Sequence, residues 1–311
     1  MKADSTELRD EIKRLKEEKN ALIMAHYYQR DEIQEIADFI GDSLALARKA
    51  AETDADIIVM CGVHFMGETA KILCPDKKVL VPDLEAGCSL ADSCDPVEFE
   101  EFVKAHPGYT VISYVNTSAA VKANTDIVVT SGNARKVVDS LPADEKIIFG
   151  PDKNLGGYIN SVTGRDMLLW QGACHVHDRF SLEKIVQMKK DHPGAKILVH
   201  PECRRPLQLI ADKVGSTAAL LEFARTDDAK EYIVVTESGI LFEMRRACPE
   251  KTFLAAPAED SECMCNECDY MKLNTLEKVA AALRTEQPEI IVDSEIAERA
   301  LRPINRMLEL S

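Results

Sequence analysis

The chain has 311 residues, 46% of them hydrophobic, enough to bury two or three proper cores in a soluble protein. Its 53 acidic residues outweigh 38 basic ones and leave a formal charge of −15, which repels nucleic acid and anionic membranes and argues against both as partners. No run approaches the roughly 18 consecutive apolar residues of a membrane span. The opening MKADSTELRDEIKRLKEEKN is a charged helical pattern without the apolar centre of a secretory signal, so a cytoplasmic location is expected.

After that helix the apolar run ALIMA predicts a strand over 21–26, ending at His26-Tyr27-Tyr28. A helix over 30–38, a short strand near 39–41, a helix over 43–52, a strand over 56–61, a helix over 65–74 and a strand over 78–81 follow. Cys88, in EAGCSLADSC, closes this first unit. The same order begins again near 110, where TVIS leads to Tyr114-Val115-Asn116, and near 196, where KILV leads to His200-Pro201-Glu202. From His26 to Tyr114 is 88 positions, and from Tyr114 to His200 is 86. Pro107-Gly108 and Pro193-Gly194 mark matching turns ahead of the second and third units. Strands alternating with helical patterns imply βαβ units, whose right-handed crossovers set all strand C-termini along one edge.

The expected fold is α/β: three similar three-layer αβα domains with parallel sheets, related by pseudo-threefold symmetry around a central active site. They would span 1–88, 89–174 and 175–274, with helices in 275–311 packing back on the first. In that tail Asn274 and Asp293 suit N-caps, and Pro288 divides the two helices.

Seventeen positions beyond each triplet's lead residue stands a hydroxyl: Ser43, Ser131 and Thr217. Each precedes a helical pattern, so each reads as an N-cap, and three helix starts facing one centre also read as a site for phosphate and carboxylates. The second unit ends in Cys174 (QGACHVH) and the third in Cys263-Met264-Cys265-Asn266-Glu267-Cys268. Ten cysteines in a chain of this class point to metal or thiol chemistry rather than a disulfide framework. Read alone, the C-x-C-x-x-C string fits structural zinc, a redox pair or an iron–sulfur ligand. One thiolate from each of three equivalent positions would hold a [4Fe–4S] cube and leave one iron open as a Lewis acid. Cys61 and Cys74 read as buried thiols, and Cys94, Cys203 and Cys248 have no legible partner. His64, His106, His175 and His192 read as structural, and Gly156-Gly157 as a loop that could lend backbone donors. Glu202, two residues past His200, would share its strand face if the strand persists.

Ten strings give the chain a resemblance to the quinolinate synthase family over essentially its full length. They are AHYYQ, GDSLALAR, DLEAGCSLADSC, YVNTSAAVKA, VTSGNA, PDKNLGGYI, WQGACHVH, HPEC, GST and NECDYMKLNTLEK. The resemblance implies a [4Fe–4S] cluster held by Cys88, Cys174 and Cys268. It implies condensation of iminoaspartate with dihydroxyacetone phosphate to quinolinate, with loss of phosphate and two waters, for NAD biosynthesis; the instability of the imine favours an aspartate-oxidising enzyme as its supplier. Carried over residue by residue, the substrate contacts are His26, Ser43, Tyr114, Val115, Asn116, Ser131, His177, His200, Pro201, Glu202 and Thr217. Tyr28 and Glu202 resemble the acid/base pair. Some members carry C-x-x-C-x-x-C near the third ligand and use its first two thiols as a redox pair. The spacing here is one residue shorter, so that feature is not expected of Cys263 and Cys265. Another iron–sulfur hydro-lyase of small dicarboxylates, an electron-transfer or metal-sensing module, and a zinc-stabilised binding protein are the alternatives on residues alone.

Overall fold

The charged N-terminal pattern forms α1 (Ser5–Glu18) in the computed structural model, which describes residues 5–259 and 266–311. The first unit then runs β1 (Ala21–His26), α2 (Asp31–Ile36), β2 (Phe39–Gly41), α3 (Ser43–Glu52), β3 (Ile57–Cys61), α4 (His64–Leu73) and β4 (Lys78–Leu80). Two short helices, α5 (Ser89–Asp92) and α6 (Pro96–Lys104), lead to β5 (Thr110–Tyr114), α7 (Ala119–Lys122), β6 (Ile127–Val129), α8 (Ala134–Ser140), β7 (Ile147–Gly150), α9 (Lys153–Thr163) and β8 (Leu168–Leu169). The third unit follows α10 (His175–Asp178) and α11 (Leu182–Asp191). It comprises β9 (Lys196–Val199), α12 (Arg205–Leu209), β10 (Lys213–Val214), α13 (Thr217–Thr226), β11 (Glu231–Val235), α14 (Ile240–Ala247) and β12 (Thr252–Ala255).

The result is three four-stranded parallel sheets with one strand order: β2-β1-β3-β4, β6-β5-β7-β8 and β10-β9-β11-β12. The leading strand of each unit is central and covered on both faces, so it reads as a continuous apolar run rather than an alternating one. Its side chains divide by parity. Met24, Ile112 and Leu198 join one cluster shared by all three sheets, while their neighbours Ile23, Val111 and Ile197 face separate outer cores. The edge strand is too short to pair the start of the leading strand, and an aspartate just before it fills the gap. Asp38 accepts from the Ile23 amide at 2.9 Å, Asp126 from Val111 at 2.8 Å and Asp212 from Ile197 at 2.8 Å.

Eight residues past each triplet's lead residue, a buried side chain ties the strand-end turn of its own unit to the neighbouring unit. Gln34 donates to the carbonyls of Tyr27 (3.1 Å) and Gln29 (2.9 Å), and to Gly239 of the third unit at 3.0 Å. Gln208 donates to Pro201 (2.9 Å) and Cys203 (2.7 Å), and to Asn154 of the second unit at 3.4 Å. In the second unit the equivalent residue is Lys122, which donates to the Thr117 carbonyl and lies 5.4 Å over the Phe65 ring of the first. These contacts run from first unit to third, third to second and second to first, so the ring closes on itself.

The hydroxyls are not the caps their positions suggest. Asp42 caps α3, Asn133 occupies the cap position of α8 and Ser216 caps α13, which leaves Ser43, Ser131 and Thr217 free for other partners. Asp293 does cap the last helix, α16 (Ser294–Glu309). The preceding helix, α15 (Leu276–Thr285), is capped by Thr275 rather than Asn274, whose buried amide donates to the Gly62 carbonyl at 2.8 Å. α15 lies on α1 with Val279 and Leu283 against Leu8 and Ile12, whereas α16 covers β6 and α7 and reaches α4. Gly156 and Gly157 are inside α9 rather than in a loop. Among the described residues no helix is long and apolar enough to cross a membrane.

Gln208→Leu strands the carbonyls of Pro201 and Cys203 in a buried turn and is expected to cost about 1–3 kcal/mol in denaturant unfolding. Arg135→Ala, which removes an exposed pair with Asp139 on α8, is expected to stay within about 0.5 kcal/mol. Equal losses in the two variants would remove the inter-unit tie from the account.

Candidate active site

Each leading strand ends in a tight turn rather than continuing. After β1 the Tyr28 amide donates to His26 Nδ1 at 3.2 Å, and after β9 the Glu202 amide approaches His200 Nδ1 at 3.4 Å. The strand therefore does not persist to Glu202. The turn, not the pleat, brings its carboxylate to 3.6 Å from His200 Nδ1. Close packing holds the first turn in place: a Cβ on Gly239, just ahead of α14, would sit 2.8 Å from the Tyr28 backbone. Only glycine lets the third unit approach that closely.

The three turns open on one shared cavity. His26, Tyr28, Ser43, Tyr114, Asn116, Ser131, His177, His200, Glu202 and Thr217 line it with Cys88, Cys174 and Cys268. Val115 and Pro201 are buried at the turns and lie outside this lining. A hydrogen-bonded chain crosses the cavity. Tyr114 donates to Glu202 Oε1 at 2.5 Å, and Glu202 Oε2 lies 3.3 Å from His177 Nδ1. His177 Nε2 meets the Thr236 hydroxyl at 2.9 Å, Thr236 meets the Tyr28 hydroxyl at 2.7 Å, and Tyr28 meets Thr217 at 3.0 Å. Ser131 separately meets His200 Nε2 at 3.2 Å.

Sequence reasoning missed Thr236, which follows β11 in an unremarkable TES. It also left out His175, which lines the cavity and meets Ser89 at 2.5 Å. Glu237 and Asp152 were passed over too, although they stand at one repeat position, 85 residues apart. Asn116 lines the cavity with a buried side-chain oxygen that has no partner among the described residues.

Cys88 and Cys174 stand immediately before α5 and α10, and Cys268 precedes a single 3₁₀ turn at Met271–Leu273. Burial pushes the Cys88 thiol up to about 12 and Cys268 to about 11, and raises Cys174 well above the usual thiol value. Mutual repulsion adds to this, between Cys88 and Cys268 and between Cys174 and Cys88. Three such groups become thiolates only beside a strong cation, so the donor set fits an iron–sulfur or other metal group. Cys174, His177 and Glu202 also bring a sulfur, a nitrogen and an oxygen within 4.8 Å of one another. Cys61, Cys74, Cys94, Cys203 and Cys248 are buried free thiols elsewhere, and Cys263 and Cys265 lie outside the described residues.

A family model described as "Quinolinate synthetase A protein" matches residues 10–309. The chain is 54% identical to the quinolinate synthase of Chloroherpeton thalassium over 305 residues, covering 98% of this chain and 95% of that one. It is 55% identical to the quinolinate synthase of Microcystis aeruginosa over 300 residues (96% and 94%) and to that of Trichodesmium erythraeum over 305 (98% and 94%).

His26 and His200 are both pushed down to about 3 by burial, which outweighs the opposing pull of Glu202. Glu202 moves the other way from the usual buried acid. Burial would raise it, but His177, His200 and the hydrogen bonds from His177 and Tyr114 together hold it below the ordinary carboxylate range. In the unfolded chain a histidine takes up its proton near pH 6.5, so below that pH the unfolded state binds protons that the folded state refuses. Stability is therefore complete above about pH 6.5 and falls toward about pH 3, by up to ~1.4 kcal/mol per pH unit for each histidine. Melting curves at pH 7 and 5.5 are expected to show this loss, and the double variant His26→Gln/His200→Gln to flatten it. The same slope in both proteins would contradict buried neutral histidines.

Proposed function

We propose that this chain, which belongs to the quinolinate synthetase A family, condenses iminoaspartate with dihydroxyacetone phosphate to quinolinate, phosphate and two waters. The observation that carries this reading is the convergence on one cavity of a thiol, a hydroxyl and a polar strand-end turn from each unit. Cys88, Cys174 and Cys268 would hold a [4Fe–4S] cluster, which when bound supplies an iron without a protein ligand, a Lewis acid for loss of water.

The side chains account for binding and proton transfer. The substrates bring two carboxylates and a phosphate to a chain of charge −15, so attraction must be local. His26 and His200, uncharged, donate and accept without drawing in a counter-ion, and Ser43, Thr217 and Asn116 add donors. The starts of α3 and α13 contribute positive dipole ends. Val63, Phe65, Met66 and Met271 wall the cavity with apolar surface, which keeps water from an imine that hydrolyses readily. Tyr28 and Glu202 exchange protons with the carbon chain during isomerisation and dehydration. Thr236 and His177 join those two groups, so a proton taken at one is returned at the other. The cytoplasm, NAD biosynthesis and an aspartate-oxidising supplier of the imine complete the proposal.

A second arrangement has one observation in its favour. The sulfur, nitrogen and oxygen of Cys174, His177 and Glu202 suit a single divalent ion such as zinc. Colour and iron content separate it from the cluster.

Protein prepared without oxygen is expected to form quinolinate from enzymatically generated iminoaspartate only when dihydroxyacetone phosphate is present. Turnover of a small dicarboxylate without the triose would move the reaction to a hydro-lyase. Glu202→Gln and Tyr28→Phe are expected to keep iron and melting temperature while losing about 10²- to 10⁴-fold in turnover. Near-normal rates in both would remove them from proton transfer. Alanine at Cys88, Cys174 or Cys268 should abolish visible absorption, and alanine at Cys263 or Cys265 should not; the reverse pattern would reassign the ligands.

A further inference from the structure

We propose that Asp152 and Glu237 are positioning residues for the metal centre, each holding the cysteine of its own unit through that cysteine's backbone amide. The inference rests on the reading of Cys174 and Cys268 as metal ligands. β7 and β11 are the same strand of successive units, and two residues past the end of each stands a fully buried acid. The Cys174 amide donates to Asp152 Oδ2 at 3.2 Å, and the Cys268 amide donates to Glu237 Oε1 at 3.2 Å. The second oxygen of each is occupied at the start of the following helix. Asp152 Oδ1 accepts from Leu155 at 2.7 Å, and Glu237 Oε2 accepts from Gly239 at 2.7 Å. Each carboxylate thus clamps a cysteine loop, 22 or 31 residues further along the chain, to a rigid helix end.

Glu237 is further fixed by Lys272 Nζ at 2.9 Å.

Results

Sequence analysis

The chain has 311 residues, 46% of them hydrophobic, enough to bury two or three proper cores in a soluble protein. Its 53 acidic residues outweigh 38 basic ones and leave a formal charge of −15, which repels nucleic acid and anionic membranes and argues against both as partners. No run approaches the roughly 18 consecutive apolar residues of a membrane span. The opening MKADSTELRDEIKRLKEEKN is a charged helical pattern without the apolar centre of a secretory signal, so a cytoplasmic location is expected.

After that helix the apolar run ALIMA predicts a strand over 21–26, ending at His26-Tyr27-Tyr28. A helix over 30–38, a short strand near 39–41, a helix over 43–52, a strand over 56–61, a helix over 65–74 and a strand over 78–81 follow. Cys88, in EAGCSLADSC, closes this first unit. The same order begins again near 110, where TVIS leads to Tyr114-Val115-Asn116, and near 196, where KILV leads to His200-Pro201-Glu202. From His26 to Tyr114 is 88 positions, and from Tyr114 to His200 is 86. Pro107-Gly108 and Pro193-Gly194 mark matching turns ahead of the second and third units. Strands alternating with helical patterns imply βαβ units, whose right-handed crossovers set all strand C-termini along one edge.

The expected fold is α/β: three similar three-layer αβα domains with parallel sheets, related by pseudo-threefold symmetry around a central active site. They would span 1–88, 89–174 and 175–274, with helices in 275–311 packing back on the first. In that tail Asn274 and Asp293 suit N-caps, and Pro288 divides the two helices.

Seventeen positions beyond each triplet's lead residue stands a hydroxyl: Ser43, Ser131 and Thr217. Each precedes a helical pattern, so each reads as an N-cap, and three helix starts facing one centre also read as a site for phosphate and carboxylates. The second unit ends in Cys174 (QGACHVH) and the third in Cys263-Met264-Cys265-Asn266-Glu267-Cys268. Ten cysteines in a chain of this class point to metal or thiol chemistry rather than a disulfide framework. Read alone, the C-x-C-x-x-C string fits structural zinc, a redox pair or an iron–sulfur ligand. One thiolate from each of three equivalent positions would hold a [4Fe–4S] cube and leave one iron open as a Lewis acid. Cys61 and Cys74 read as buried thiols, and Cys94, Cys203 and Cys248 have no legible partner. His64, His106, His175 and His192 read as structural, and Gly156-Gly157 as a loop that could lend backbone donors. Glu202, two residues past His200, would share its strand face if the strand persists.

Ten strings give the chain a resemblance to the quinolinate synthase family over essentially its full length. They are AHYYQ, GDSLALAR, DLEAGCSLADSC, YVNTSAAVKA, VTSGNA, PDKNLGGYI, WQGACHVH, HPEC, GST and NECDYMKLNTLEK. The resemblance implies a [4Fe–4S] cluster held by Cys88, Cys174 and Cys268. It implies condensation of iminoaspartate with dihydroxyacetone phosphate to quinolinate, with loss of phosphate and two waters, for NAD biosynthesis; the instability of the imine favours an aspartate-oxidising enzyme as its supplier. Carried over residue by residue, the substrate contacts are His26, Ser43, Tyr114, Val115, Asn116, Ser131, His177, His200, Pro201, Glu202 and Thr217. Tyr28 and Glu202 resemble the acid/base pair. Some members carry C-x-x-C-x-x-C near the third ligand and use its first two thiols as a redox pair. The spacing here is one residue shorter, so that feature is not expected of Cys263 and Cys265. On residues alone the alternatives are another iron–sulfur hydro-lyase of small dicarboxylates, an electron-transfer or metal-sensing module, and a zinc-stabilised binding protein.

Overall fold

The charged N-terminal pattern forms α1 (Ser5–Glu18) in the computed structural model, which describes residues 5–259 and 266–311. The first unit then runs β1 (Ala21–His26), α2 (Asp31–Ile36), β2 (Phe39–Gly41), α3 (Ser43–Glu52), β3 (Ile57–Cys61), α4 (His64–Leu73) and β4 (Lys78–Leu80). Two short helices, α5 (Ser89–Asp92) and α6 (Pro96–Lys104), lead to β5 (Thr110–Tyr114), α7 (Ala119–Lys122), β6 (Ile127–Val129), α8 (Ala134–Ser140), β7 (Ile147–Gly150), α9 (Lys153–Thr163) and β8 (Leu168–Leu169). The third unit follows α10 (His175–Asp178) and α11 (Leu182–Asp191). It comprises β9 (Lys196–Val199), α12 (Arg205–Leu209), β10 (Lys213–Val214), α13 (Thr217–Thr226), β11 (Glu231–Val235), α14 (Ile240–Ala247) and β12 (Thr252–Ala255).

The result is three four-stranded parallel sheets with one strand order: β2-β1-β3-β4, β6-β5-β7-β8 and β10-β9-β11-β12. The leading strand of each unit is central and covered on both faces, so it reads as a continuous apolar run rather than an alternating one. Its side chains divide by parity. Met24, Ile112 and Leu198 join one cluster shared by all three sheets, while their neighbours Ile23, Val111 and Ile197 face separate outer cores. The edge strand is too short to pair the start of the leading strand, and an aspartate just before it fills the gap. Asp38 accepts from the Ile23 amide at 2.9 Å, Asp126 from Val111 at 2.8 Å and Asp212 from Ile197 at 2.8 Å.

Eight residues past each triplet's lead residue, a buried side chain ties the strand-end turn of its own unit to a neighbouring unit. Gln34 donates to the carbonyls of Tyr27 (3.1 Å) and Gln29 (2.9 Å), and to that of Gly239 in the third unit at 3.0 Å. Gln208 donates to Pro201 (2.9 Å) and Cys203 (2.7 Å), and to Asn154 of the second unit at 3.4 Å. In the second unit the equivalent residue is Lys122, which donates to the Thr117 carbonyl and lies 5.4 Å over the Phe65 ring of the first. These contacts run from first unit to third, third to second and second to first, so the ring closes on itself.

The hydroxyls are not the caps their positions suggest. Asp42 caps α3, Asn133 occupies the cap position of α8 and Ser216 caps α13, which leaves Ser43, Ser131 and Thr217 free for other partners. Asp293 does cap the last helix, α16 (Ser294–Glu309). The preceding helix, α15 (Leu276–Thr285), is capped by Thr275 rather than Asn274, whose buried amide donates to the Gly62 carbonyl at 2.8 Å. α15 lies on α1, with Val279 and Leu283 in one cluster with Leu8 and Ile12, whereas α16 covers β6 and α7 and reaches α4. Gly156 and Gly157 are inside α9 rather than in a loop. Among the described residues no helix is long and apolar enough to cross a membrane.

Gln208→Leu strands the carbonyls of Pro201 and Cys203 in a buried turn and is expected to cost about 1–3 kcal/mol in denaturant unfolding. Arg135→Ala, which removes an exposed pair with Asp139 on α8, is expected to stay within about 0.5 kcal/mol. Equal losses in the two variants would remove the inter-unit tie from the account.

Candidate active site

Each leading strand ends in a tight turn rather than continuing. After β1 the Tyr28 amide donates to His26 Nδ1 at 3.2 Å, and after β9 the Glu202 amide approaches His200 Nδ1 at 3.4 Å. The strand therefore does not persist to Glu202. The turn, not the pleat, brings its carboxylate to 3.6 Å from His200 Nδ1. Close packing holds the first turn in place: a Cβ on Gly239, just ahead of α14, would sit 2.8 Å from the Tyr28 backbone. Only glycine lets the third unit approach that closely.

The three turns open on one shared cavity. His26, Tyr28, Ser43, Tyr114, Asn116, Ser131, His177, His200, Glu202 and Thr217 line it with Cys88, Cys174 and Cys268. Val115 and Pro201 are buried at the turns and lie outside this lining. A hydrogen-bonded chain crosses the cavity. Tyr114 donates to Glu202 Oε1 at 2.5 Å, and Glu202 Oε2 lies 3.3 Å from His177 Nδ1. His177 Nε2 meets the Thr236 hydroxyl at 2.9 Å, Thr236 meets the Tyr28 hydroxyl at 2.7 Å, and Tyr28 meets Thr217 at 3.0 Å. Ser131 separately meets His200 Nε2 at 3.2 Å.

Sequence reasoning missed Thr236, which follows β11 in a short TES string with no motif of its own. It also set aside His175, which lines the cavity and meets Ser89 at 2.5 Å. Glu237 and Asp152 were passed over too, although they stand at one repeat position, 85 residues apart. Asn116 lines the cavity with a buried side-chain oxygen that has no partner among the described residues.

Cys88 and Cys174 stand immediately before α5 and α10, and Cys268 precedes a single 3₁₀ turn at Met271–Leu273. Burial pushes the Cys88 thiol up to about 12 and Cys268 to about 11, and raises Cys174 well above the usual thiol value. Repulsion from Cys268 adds to the shift at Cys88, and repulsion from Glu202 and Cys88 adds to it at Cys174. Three such groups become thiolates only beside a strong cation, so the donor set fits an iron–sulfur or other metal group. Cys174, His177 and Glu202 also bring a sulfur, a nitrogen and an oxygen within 4.8 Å of one another. Cys61, Cys74, Cys94, Cys203 and Cys248 are buried free thiols elsewhere, and Cys263 and Cys265 lie outside the described residues.

A family model described as "Quinolinate synthetase A protein" matches residues 10–309. The chain is 54% identical to the quinolinate synthase of Chloroherpeton thalassium over 305 residues, covering 98% of this chain and 95% of that one. It is 55% identical to the quinolinate synthase of Microcystis aeruginosa over 300 residues (96% and 94%) and to that of Trichodesmium erythraeum over 305 (98% and 94%).

His26 and His200 are both pushed down to about 3 by burial, which outweighs the opposing pull of Glu202. Glu202 departs from the usual buried acid. Burial would raise it, but His177, His200 and the hydrogen bonds from His177 and Tyr114 together hold it below the ordinary carboxylate range. In the unfolded chain a histidine takes up its proton near pH 6.5, so below that pH the unfolded state binds protons that the folded state refuses. Stability is therefore complete above about pH 6.5 and falls toward about pH 3, by up to ~1.4 kcal/mol per pH unit for each histidine. Melting curves at about pH 7 and about pH 5.5 are expected to show this loss, and the double variant His26→Gln/His200→Gln to flatten it. The same slope in both proteins would contradict buried neutral histidines.

Proposed function

We propose that this chain, which belongs to the quinolinate synthetase A family, condenses iminoaspartate with dihydroxyacetone phosphate to quinolinate, phosphate and two waters. The observation that carries this reading is the convergence on one cavity of a thiol, a hydroxyl and a polar strand-end turn from each unit. Cys88, Cys174 and Cys268 would hold a [4Fe–4S] cluster, which when bound supplies an iron without a protein ligand, a Lewis acid for loss of water.

The side chains account for binding and proton transfer. The substrates bring two carboxylates and a phosphate to a chain of charge −15, so attraction must be local. His26 and His200, uncharged, can both donate and accept, and Ser43, Ser131, Thr217 and Asn116 add donors. The starts of α3 and α13 contribute positive dipole ends. Val63, Phe65, Met66 and Met271 wall the cavity with apolar surface, which keeps water from an imine that hydrolyses readily. Tyr28 and Glu202 exchange protons with the carbon chain during isomerisation and dehydration. Thr236 and His177 join those two groups, so a proton taken at one is returned at the other. The cytoplasm, NAD biosynthesis and an aspartate-oxidising supplier of the imine complete the proposal.

A second arrangement has one observation in its favour. The sulfur, nitrogen and oxygen of Cys174, His177 and Glu202 suit a single divalent ion such as zinc. Colour and iron content separate it from the cluster.

Protein prepared without oxygen is expected to form quinolinate from enzymatically generated iminoaspartate only when dihydroxyacetone phosphate is present. Turnover of a small dicarboxylate without the triose would move the reaction to a hydro-lyase. Glu202→Gln and Tyr28→Phe are expected to keep iron and melting temperature while losing about 10²- to 10⁴-fold in turnover. Near-normal rates in both would remove them from proton transfer. Alanine at Cys88, Cys174 or Cys268 should abolish visible absorption, and alanine at Cys263 or Cys265 should not; the reverse pattern would reassign the ligands.

A further inference from the structure

We propose that Asp152 and Glu237 are positioning residues for the metal centre, each holding the cysteine of its own unit through that cysteine's backbone amide. The inference rests on the reading of Cys174 and Cys268 as metal ligands. β7 and β11 are the same strand of successive units, and two residues past the end of each stands a fully buried acid. The Cys174 amide donates to Asp152 Oδ2 at 3.2 Å, and the Cys268 amide donates to Glu237 Oε1 at 3.2 Å. The second oxygen of each is occupied at the start of the following helix. Asp152 Oδ1 accepts from the Leu155 amide at 2.7 Å, and Glu237 Oε2 accepts from the Gly239 amide at 2.7 Å. Each carboxylate thus clamps a cysteine loop, 22 or 31 residues further along the chain, to a rigid helix end.

The two clamps differ in side-chain length yet do the same two-armed work, which is what a repeated structural demand produces from different residues. Glu237 is further fixed by Lys272 Nζ at 2.9 Å. The first unit has Val63 at this position, and its cysteine loop is held instead by the His64 amide on the Ala86 carbonyl at 2.7 Å. The centre is therefore lopsided, with carboxylates behind Cys174 and Cys268 and an apolar side chain at the matching point behind Cys88. An amide given to a carboxylate is withheld from the ligand sulfur, and amide–sulfur bonds and nearby charge both set iron–sulfur potentials. Weakening either acceptor releases a cysteine amide toward sulfur, which favours the reduced centre.

The test uses full-length Asp152→Asn and Glu237→Gln, purified without oxygen and read again after chelation of the metal. In the chelated protein, mass spectrometry follows the alkylation of each cysteine by iodoacetamide. Asp152→Asn is expected to speed Cys174 by about tenfold, the worth of one buried hydrogen bond, and Glu237→Gln to do the same for Cys268, with Cys88 unchanged in both. In the metal-loaded protein the midpoint potential should move positive in each variant. Asp152→Ser, which keeps a cap oxygen for α9 but has no second acceptor, repeats the experiment without an amide that could rotate to serve both partners. Unchanged alkylation, or a rise shared by all three cysteines, would reduce the acids to helix caps and overturn the proposal. A colourless protein that still showed the unit-specific alkylation pattern would leave the positioning role standing and remove the cluster.

Discussion

The structure depends on satisfying the backbone of three buried strand-end turns. Each turn carries the site's polar side chains into the middle of the molecule, where carbonyls have no water to bond and an unpaired one is costly. Gln34, Lys122 and Gln208 meet that need from one repeat position, and each simultaneously touches the unit next to it. The same contact therefore stabilises a turn, fixes the angle between units and closes the ring. His26, Tyr28, Asn116, His200 and Glu202 inherit their placement from it.

From this constraint follows the separation of labour at the sheet edges. Short edge strands leave the leading strand uncovered at its start, where Asp38, Asp126 and Asp212 complete the ladder. At the other end the caps of α3 and α13 are supplied by Asp42 and Ser216, one residue ahead of Ser43 and Thr217. Those hydroxyls are spared capping and face the cavity. Thr217 already shares a hydrogen bond with Tyr28, so substrate binding and proton transfer meet in one network.

The repeat made the fold readable from sequence. Three apolar runs, three triplets and three hydroxyls at near-constant spacing pointed to three parallel α/β units and a converging edge, because a parallel α/β unit leaves few other ways to use them. The motif strings identified the family and most of the cavity lining. What stayed hidden depended on turn geometry. Glu202 reaches His200 through a turn that a strand reading does not contain, and Thr236 joins His177 to Tyr28 only because β11 ends beside β1's turn in space. Asn274 looked like a cap but is a buried amide spent on Gly62, a choice made by tertiary contact that no local pattern encodes.

Cys88, Cys174 and Cys268 are half-buried cavity thiols whose pKa the surroundings raise, in a chain whose overall charge is strongly negative, an arrangement that a cationic guest makes stable as thiolate. The central claim is that one thiol from each unit holds a single iron–sulfur group in the shared cavity. Iron and acid-labile sulfide per chain, measured with the visible spectrum on protein purified without oxygen, test it most directly. The account predicts a brown protein with iron and sulfide in equal amounts, about four of each. A colourless protein carrying zinc, or a metal-free one with full activity, would contradict it.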